Sequence, residues 1–202
     1  MSSWADLLAR SDPGAHLVQL YGEDDQSLAR NVSQYLAEGL RRGDGVVLIS
    51  TPEHTSAIAR HLVEMAPDLT SEAVRTGRLT CLSARETLER LLVDGRPDET
   101  RFRSVVGKFL DGVRRRSATG TVRAFGEMVN LLWQEGRSDD AHRLEELWNL
   151  MTSEYACSMY CAYRIDLVED RSDAAALHAI IGSHDHLLAG AGTLLSSGRS
   201  RG

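Results

Sequence analysis

Five short apolar runs, each followed by a segment with helical periodicity, limit the folds that this chain can adopt. The runs lie at residues 16–21, 46–49, 79–82, 121–125 and 157–163. The second run is four consecutive apolar residues, which is typical of a strand buried on both faces. Strands that alternate with helices predict an α/β fold with three layers: a mostly parallel sheet of about five or more strands, with helices on both faces.

Helix-start signals follow several of these runs. Asp24 begins a helix after the first run, and Thr51 followed by Pro52 gives the next helix a capping residue and a proline at its first position. Residues 83–86 form a capping box after the third run. Each run is thus expected to be a strand that leads into a helix, which then crosses back to the next parallel strand.

The domain organisation follows from where this alternation begins and stops. It starts near residue 14 and weakens after residue 168, so we expect one α/β domain over residues 14–168 and an N-terminal extension at residues 1–13. Residues 169–190 are expected to contain a C-terminal helix, at 174–188. Residues 191–202 are rich in Gly, Ser and Arg and are expected to be a disordered tail.

Composition and charge exclude several classes of partner. With 42% hydrophobic residues and a net charge of -6, the 202-residue chain has a globular composition and lacks the basic character of a nucleic-acid-binding protein. A helix that spans a membrane needs about 20 consecutive apolar residues, and no apolar run in this sequence is that long. The first residues do not form a targeting signal. We therefore expect a cytoplasmic protein that binds neither nucleic acid nor membrane.

The turn after the first run argues against one common ligand class. A phosphate-binding loop needs a glycine-rich stretch with a Lys-Ser/Thr pair at this place, but residues 21–26 read YGEDDQ. Carboxylates at the start of a helix satisfy its dipole and repel phosphate groups. We therefore expect no tight binding of ATP or GTP, and no cofactor.

Glu127 stands where the fourth strand ends and a short helix begins. Open α/β folds bind their ligands at the carboxyl edge of the sheet, so a carboxylate at that edge is a candidate ligand-binding group. Two structural roles are equally open: a cap for the following helix, or an ion pair with Arg123. His16, at the start of the first strand, is either a structural residue or a ligand contact.

Two of the three tryptophans lie on the helices after the fourth strand. Trp133 and Trp148 either pack these helices on the sheet or line an apolar pocket, since pockets are built mainly from apolar and aromatic side chains. Of the neighbouring carboxylates Glu145 and Glu146, one must lie closer to the Trp148 face, and Glu145 is the candidate. Asn149 adds a hydrogen-bonding group on the same helix.

The cysteines predict reduced thiols. Cys157 and Cys161 share one face of a strand but lie roughly 13 Å apart, at about 3.3 Å per residue, so they cannot form a disulfide with each other. A thiolate pair of Cys161 with His16 is the one catalytic arrangement left open. It requires the two side chains to lie within hydrogen-bond reach.

Histidine spacing predicts no metal site. Three histidines lie near the C-terminal end of the chain: His178, His184 and His186. They lack the i, i+4 spacing that places two metal ligands on one helix face, so a metal site here would need further ligands from elsewhere in the chain. The cysteine spacing is not that of a zinc knuckle either. We therefore expect no bound metal.

Several of these stretches together resemble one protein family. Residues 123–133, RAFGEMVNLLW, are similar to the central signature of the MEDS domain, a sensory domain named after methanogens, methylotrophs and the regulator DcmR. The resemblance continues at four further places: residues 16–21, 43–47, 144–149 and 161–163. His184 resembles a histidine found in the extension that often follows this domain.

The resemblance implies both a fold and a function. It implies a RecA/KaiC-like α/β fold that has lost its phosphate loop, and a role in sensing small hydrocarbon-type molecules. Members are often fused to histidine kinases or DNA-binding regulators, and we recognise no such output module in this sequence. By resemblance, the candidate ligand-contacting polar residues are His16, Glu127 and Cys161. The candidate pocket walls are Tyr21, Trp133 and Trp148.

The sequence therefore predicts a non-enzymatic sensor. We expect it to bind a small, largely apolar ligand and to signal to a separate protein, such as a histidine kinase or a transcription regulator. A homodimer is left open. One alternative is a partner-binding regulator without a small ligand, for example in a histidine kinase or sigma-factor pathway, which an exposed Trp133 or Trp148 would favour. A Cys/His-dependent enzyme is the third hypothesis.

Overall fold

The computed structural model describes residues 4–165, 174–189 and 193–196. Within these ranges the helices are α1 (Trp4–Arg10), α2 (Asp25–Arg42), α3 (Pro52–Met65), α4 (Pro67–Thr76), α5 (Ala84–Leu91), α6 (Glu99–Phe102), α7 (Lys108–Arg114), α8 (Met128–Gln134), α9 (Ser138–Glu154) and α10 (Ala174–Gly182). A short π-helical segment, Arg103–Gly107, joins α6 to α7. The strands are β1 (His16–Tyr21), β2 (Gly45–Ser50), β3 (Leu79–Ser83), β4 (Leu92–Val93), β5 (Arg96–Pro97), β6 (Val122–Gly126), β7 (Cys157–Arg164), β8 (His186–Ala189) and β9 (Thr193–Ser196).

Seven of these strands form one sheet. Their order is β3-β2-β6-β7-β1-β8-β9, and every neighbouring pair is parallel except β8 and β9. Helices cover both faces, so the predicted three-layer α/β fold is confirmed. The strands β4 and β5 form a separate two-stranded hairpin after α5, which the sequence pattern did not predict.

The pleat of the central strands divides the core into two layers. In β2, Val47 and Ile49 belong to the core under α5 to α10, whereas Val46 and Leu48 belong to the core under α1 to α4. Because side chains alternate across a strand, this pattern follows from the period of two residues. All six positions of β1 are buried, as expected for a strand covered on both faces.

The predictions for the C-terminal region need correction. The helix expected at 174–188 ends at Gly182, and a strand, β8, begins at His186. Residues 193–196, expected to lie in a disordered tail, form β9 and pair antiparallel with β8. Short apolar runs such as these do not distinguish strand from helix locally, and pairing with the edge of β1 decides the outcome. Residues 166–173, 190–192 and 197–202 lie outside the described residues.

Helix ends elsewhere follow the sequence signals. Asp24 and Thr51 accept the capping hydrogen bonds of α2 and α3, and Ser83 caps α5. The helix predicted after Thr51 ends at Met65, and Pro67 begins α4. No helix in the described ranges is both long enough and apolar enough to cross a membrane.

Candidate functional site

The pleat places two of the predicted site residues on the same face of the sheet. His16 in β1 and Cys161 in β7 both point toward the layer of α9, since each is an even number of residues from Val18 or Tyr163 in that core. The two strands are neighbours, with Val18 opposite Cys161. Glu145 reaches the same place from α9, and His184 reaches it from the turn between α10 and β8.

These four side chains form a compact group, which we call the buried cluster: His16, Glu145, Cys161 and His184. His16 Nε2 lies 3.3 Å from Cys161 Sγ and 3.2 Å from Glu145 Oε2. The Cys161 thiol lies 3.3 Å from the same carboxylate oxygen, and His184 Nε2 lies 3.3 Å from Glu145 Oε1. Each of the four residues is at most 1% exposed.

A surrounding layer of hydrogen bonds fixes these side chains. His16 Nδ1 donates to Asn149 Oδ1 at 3.0 Å, and the Asn149 amide donates in turn to the Ser183 carbonyl at 3.2 Å. His184 Nδ1 donates to the Ile180 carbonyl at 2.7 Å. The Tyr163 hydroxyl donates to Glu145 Oε1 at 2.7 Å. Both imidazoles and the carboxylate therefore have defined orientations.

The cluster stabilises the negative charge of the Glu145 carboxylate. Burial opposes the charge on Glu145, but the imidazoles of His184 and His16 outweigh it and hold the pKa of this carboxyl well below its usual range. Burial lowers the pKa of His16, and the electrostatic interaction with His184 lowers it further. A buried carboxylate without partners would be very costly, and here it has several.

The same surroundings argue against a catalytic thiolate. Cys161 and His16 meet the distance condition of the enzyme hypothesis. However, burial and then the Glu145 carboxylate raise the pKa of the Cys161 thiol well above its usual range. A nucleophilic cysteine needs a lowered pKa and access to substrate, and Cys161 has neither. Cys81, Cys157 and Cys161 are free thiols.

Glu127 lies at a second place, the carboxyl edge of the sheet. Its Oε2 accepts a hydrogen bond from the backbone N–H of Thr51 at 2.8 Å, and its Oε1 pairs with His54 Nδ1. His54 Nε2 lies 3.5 Å from Asp25. The hydrogen bond with Glu127 raises the pKa of His54, although burial alone would lower it. Glu127 thus joins the ends of β6 and β2.

Neither structural role foreseen for Glu127 is correct. Its side chain makes no capping hydrogen bond to its own helix, α8, and satisfies instead the start of α3. Arg123 pairs with Asp44, with 3.2 Å between Nε and Oδ2, and not with Glu127. The sequence could not show this, because Asp44 and Arg123 come together only through the pairing of β2 with β6.

The three aromatic candidates lie apart from one another. Tyr21 is buried near the Glu127 group, where its hydroxyl accepts from the Asn130 amide at 3.4 Å. Trp133 is partly buried and packs edge-on against Tyr163, with 5.8 Å between ring centroids. Trp148 is fully buried in the core. The exposed tryptophan that a partner-binding regulator predicts is therefore absent at both positions.

Six of the seven predicted residues divide between two places, and the seventh, Trp148, lies in the core. His16, Glu145 and Cys161 meet in the buried cluster, and Trp133 reaches its edge through Tyr163. Two surface cavities, of about 490 and 480 Å³, are lined by other residues, many of them arginines and carboxylates. Neither cavity is the apolar pocket that the sequence predicts.

Two histidines, His184 in the buried cluster and His54 beside Glu127, have no strong local sequence pattern that marks them as site residues. His54 lies in an ordinary amphipathic helix, and His184 lies in a turn that the sequence assigned to a helix. The only signal for His184 is its resemblance to a family histidine. The expectation of no metal site rested on local spacing, whereas the fold brings His184 to three donor atoms from distant parts of the chain, all within 4.8 Å.

Comparison with known families decides the classification. The family model described as MEDS, the MEthanogen/methylotroph, DcmR Sensory domain, matches residues 15–185. The chain belongs to the MEDS family. The resemblance inferred from the sequence motifs is thereby confirmed, and the chain is a domain of sensory or signalling type. The MEDS match extends beyond the boundary placed at residue 168 and includes all four residues of the buried cluster. A search of curated proteins finds no match.

Proposed function

We propose that this MEDS chain is a cytoplasmic, non-enzymatic sensor that detects a small, largely apolar molecule of hydrocarbon type at the buried cluster. Family membership supports the sensory role. Apolar residues of the α5 to α10 core, among them Trp148, Met159 and Ile180, belong to the same core layer as Cys161. A small molecule with one polar group matches such surroundings, because the cluster satisfies its polar end and the core its apolar end.

The observation that carries this proposal is the way the C-terminal turn, residues 183–185, closes over the cluster. The backbone N–H of His16 donates to the Asp185 carboxylate at 2.9 Å, and the Asp185 N–H donates to the His16 carbonyl at 2.8 Å. Asn149 binds Ser183 as described above. Because the cluster is fully buried, a molecule enters it only when an element covering it moves.

Movement of this turn provides a route for the signal. The turn leads directly into β8, whose His186 pairs with Leu17 of β1 at the edge of the parallel sheet. A ligand that binds one conformation of the turn more tightly than another shifts the equilibrium between these conformations. The positions of β8 and β9 then change with the turn. We propose that a separate partner, such as a histidine kinase or a transcription regulator, responds to this change.

We also propose that the domain is related to RecA/KaiC-like folds. This relation is supported by the parallel sheet covered on both faces and by the acidic turn after β1, where a phosphate loop would lie. In that turn Asp24 accepts from the Ser27 N–H at 2.8 Å, so a carboxylate already occupies the helix start that would bind phosphate.

Native mass spectrometry of the chain purified from its own host tests the ligand. We expect a retained small organic molecule, which is lost in Cys161→Ser and kept in Cys157→Ser. The two cysteines lie in the same strand and are both fully buried, so Cys157→Ser is a matched control. A wild-type protein without any organic adduct, or equal retention in both variants, would contradict the proposal.

A further inference from the structure

Three donor atoms of the buried cluster form a nearly equilateral triangle. His16 Nε2, Cys161 Sγ and Glu145 Oε2 are separated by 3.2, 3.3 and 3.3 Å. In a tetrahedral zinc site with bonds of about 2.0–2.3 Å, neighbouring donor atoms lie roughly 3.3–3.8 Å apart. The triangle therefore has the size of one face of such a tetrahedron. His184 supplies a fourth donor: one of its ring nitrogens lies within 4.8 Å of a donor atom on each of the other three residues, and its Nε2 lies 3.3 Å from Glu145 Oε1.

The hydrogen bonds around the cluster fix which imidazole nitrogens carry protons. The Asn149 amide donates to the Ser183 carbonyl, so its oxygen faces His16 and must accept a proton from Nδ1. The Ile180 carbonyl can only accept, so Nδ1 of His184 also carries a proton. Nε2 of each ring is therefore the atom directed into the cluster, and in the neutral form of an imidazole this nitrogen can bind a metal ion.

Both Nε2 atoms lie beside the Glu145 carboxylate. Nε2 of His16 lies 3.2 Å from one oxygen of Glu145, and Nε2 of His184 lies 3.3 Å from the other. In both rings Nδ1 is held by a fixed acceptor, so Nε2 is the atom that faces the cluster. Metal-binding histidines have this pattern, since their second ring nitrogen donates to a carbonyl or carboxylate that sets the tautomer.

We propose that the buried cluster binds one divalent transition metal ion, with zinc the best match, through His16 Nε2, Glu145, Cys161 Sγ and His184 Nε2. On binding, Cys161 releases its thiol proton to solvent and forms a sulfur–metal bond. Two neutral imidazoles, one carboxylate and one thiolate then neutralise the double positive charge, which suits a buried site. Magnesium and calcium prefer all-oxygen ligands and do not match.

The metal site uses the same four side chains as the proposed organic ligand, but the tests below detect zinc itself and therefore decide the metal site separately. Its four ligands come from β1, α9, β7 and the C-terminal turn, so the ion would join the end of the chain to the centre of the sheet. Four protein ligands complete the tetrahedral coordination that structural zinc sites have. The ion would therefore fix the position of the C-terminal turn.

The wild-type full-length chain provides the first test. Protein stripped with a chelator is titrated with zinc in competition with a chromophoric chelator, and the loaded protein is examined by X-ray absorption at the zinc edge. We expect one zinc per chain, with one sulfur at about 2.3 Å and three nitrogen or oxygen ligands at about 2.0–2.2 Å. A protein that binds no zinc, or zinc without sulfur or with two sulfurs, overturns the proposal.

Two pairs of variants then assign the ligands. Cobalt replaces zinc as the probe, because a cobalt–thiolate bond gives a charge-transfer absorption band. We expect Cys161→Ser to lose this band and Cys157→Ser to keep it. His184→Gln should weaken zinc binding at least about tenfold, whereas His178→Gln, at an exposed position of α10, should not change it. Circular dichroism checks that each variant is folded. A retained band in Cys161→Ser, or equal affinities of the two histidine variants, overturns the assignment.

Discussion

The pair of Glu127 and His54 allows a pH-dependent test of the carboxyl edge of the sheet. In Glu127→Gln the amide keeps the size of the carboxylate, and its oxygen can still accept from the Thr51 N–H. The negative charge that faces His54 is lost. We therefore expect the variant to fold, to lose stability, and to bring the pKa of His54 down from its raised value.

The size of the loss follows from the contact that is removed. Hydrogen bonds that involve a charged group contribute about 1.5–3 kcal/mol, so Glu127→Gln should lower the free energy of unfolding by about that amount below pH 6. The pKa of His54 is higher in the folded state, so the contribution is fully present below the unfolded value of about 6.5. It declines as the pH rises through the folded value. The cost of the substitution should therefore be smaller at about pH 9.

Urea denaturation of both proteins across this pH range measures the effect, and NMR titration follows His54, with His54→Gln assigning its signal. Glu64→Gln is the matched control, because Glu64 pairs with His61 on the surface of the same helix at 3.3 Å. Exposed pairs contribute about 0–1 kcal/mol, so the control should stay near wild type. A cost of Glu127→Gln that does not change with pH, or an unshifted His54, would refute the reasoning.

Three further predictions concern the core, the cluster and the acidic turn. Trp148→Ala should lower the free energy of unfolding by about 3–5 kcal/mol in urea denaturation, because Trp148 is fully buried against Phe102; a loss below about 1 kcal/mol would contradict its place in the core. Asn149→Leu should weaken zinc binding about 10–100-fold in chelator competition, because it removes the acceptor that orients the His16 ring. Wild-type affinity for zinc would mean that Asn149 does not orient this ring. A fluorescent ATP analogue should show no saturable binding at micromolar concentration, because Asp24 occupies the helix start; binding that plain ATP displaces would refute this.

The sequence predicts those parts of the fold that local chemistry decides. The bounds of β1 agree with the apolar run at 16–21, and the caps at Thr51 and Ser83 lie where their side chains predict them. Buried parallel strands and capped helices have strong local patterns. Residues 183–189 and 193–196 were predicted wrongly, because β8 and β9 depend on an edge of the sheet that a local pattern does not contain.

The candidate site also depends on contacts between distant residues, which a local sequence pattern does not contain. His16, Glu145 and Cys161 were each identified as candidates, but the sequence did not show that these three meet. His16 and Cys161 are 145 residues apart, and only the pairing of β1 with β7 brings them to 3.3 Å. The missing member, His184, lies in a turn whose position depends on β8. Local spacing rules for metal ligands cannot detect a site whose ligands come from four elements.

Hydrogen–deuterium exchange most directly tests the central claim, that the occupancy of the buried cluster controls the C-terminal turn and β8. The full-length chain is compared with and without zinc, and Cys161→Ser is measured alongside under the same conditions. We expect slower exchange of the amides of residues 183–189 in the loaded wild type, where the His16 carbonyl already accepts from Asp185, and no such change in Cys161→Ser. Exchange at residues 183–189 that is the same in loaded and metal-free wild type would contradict the claim.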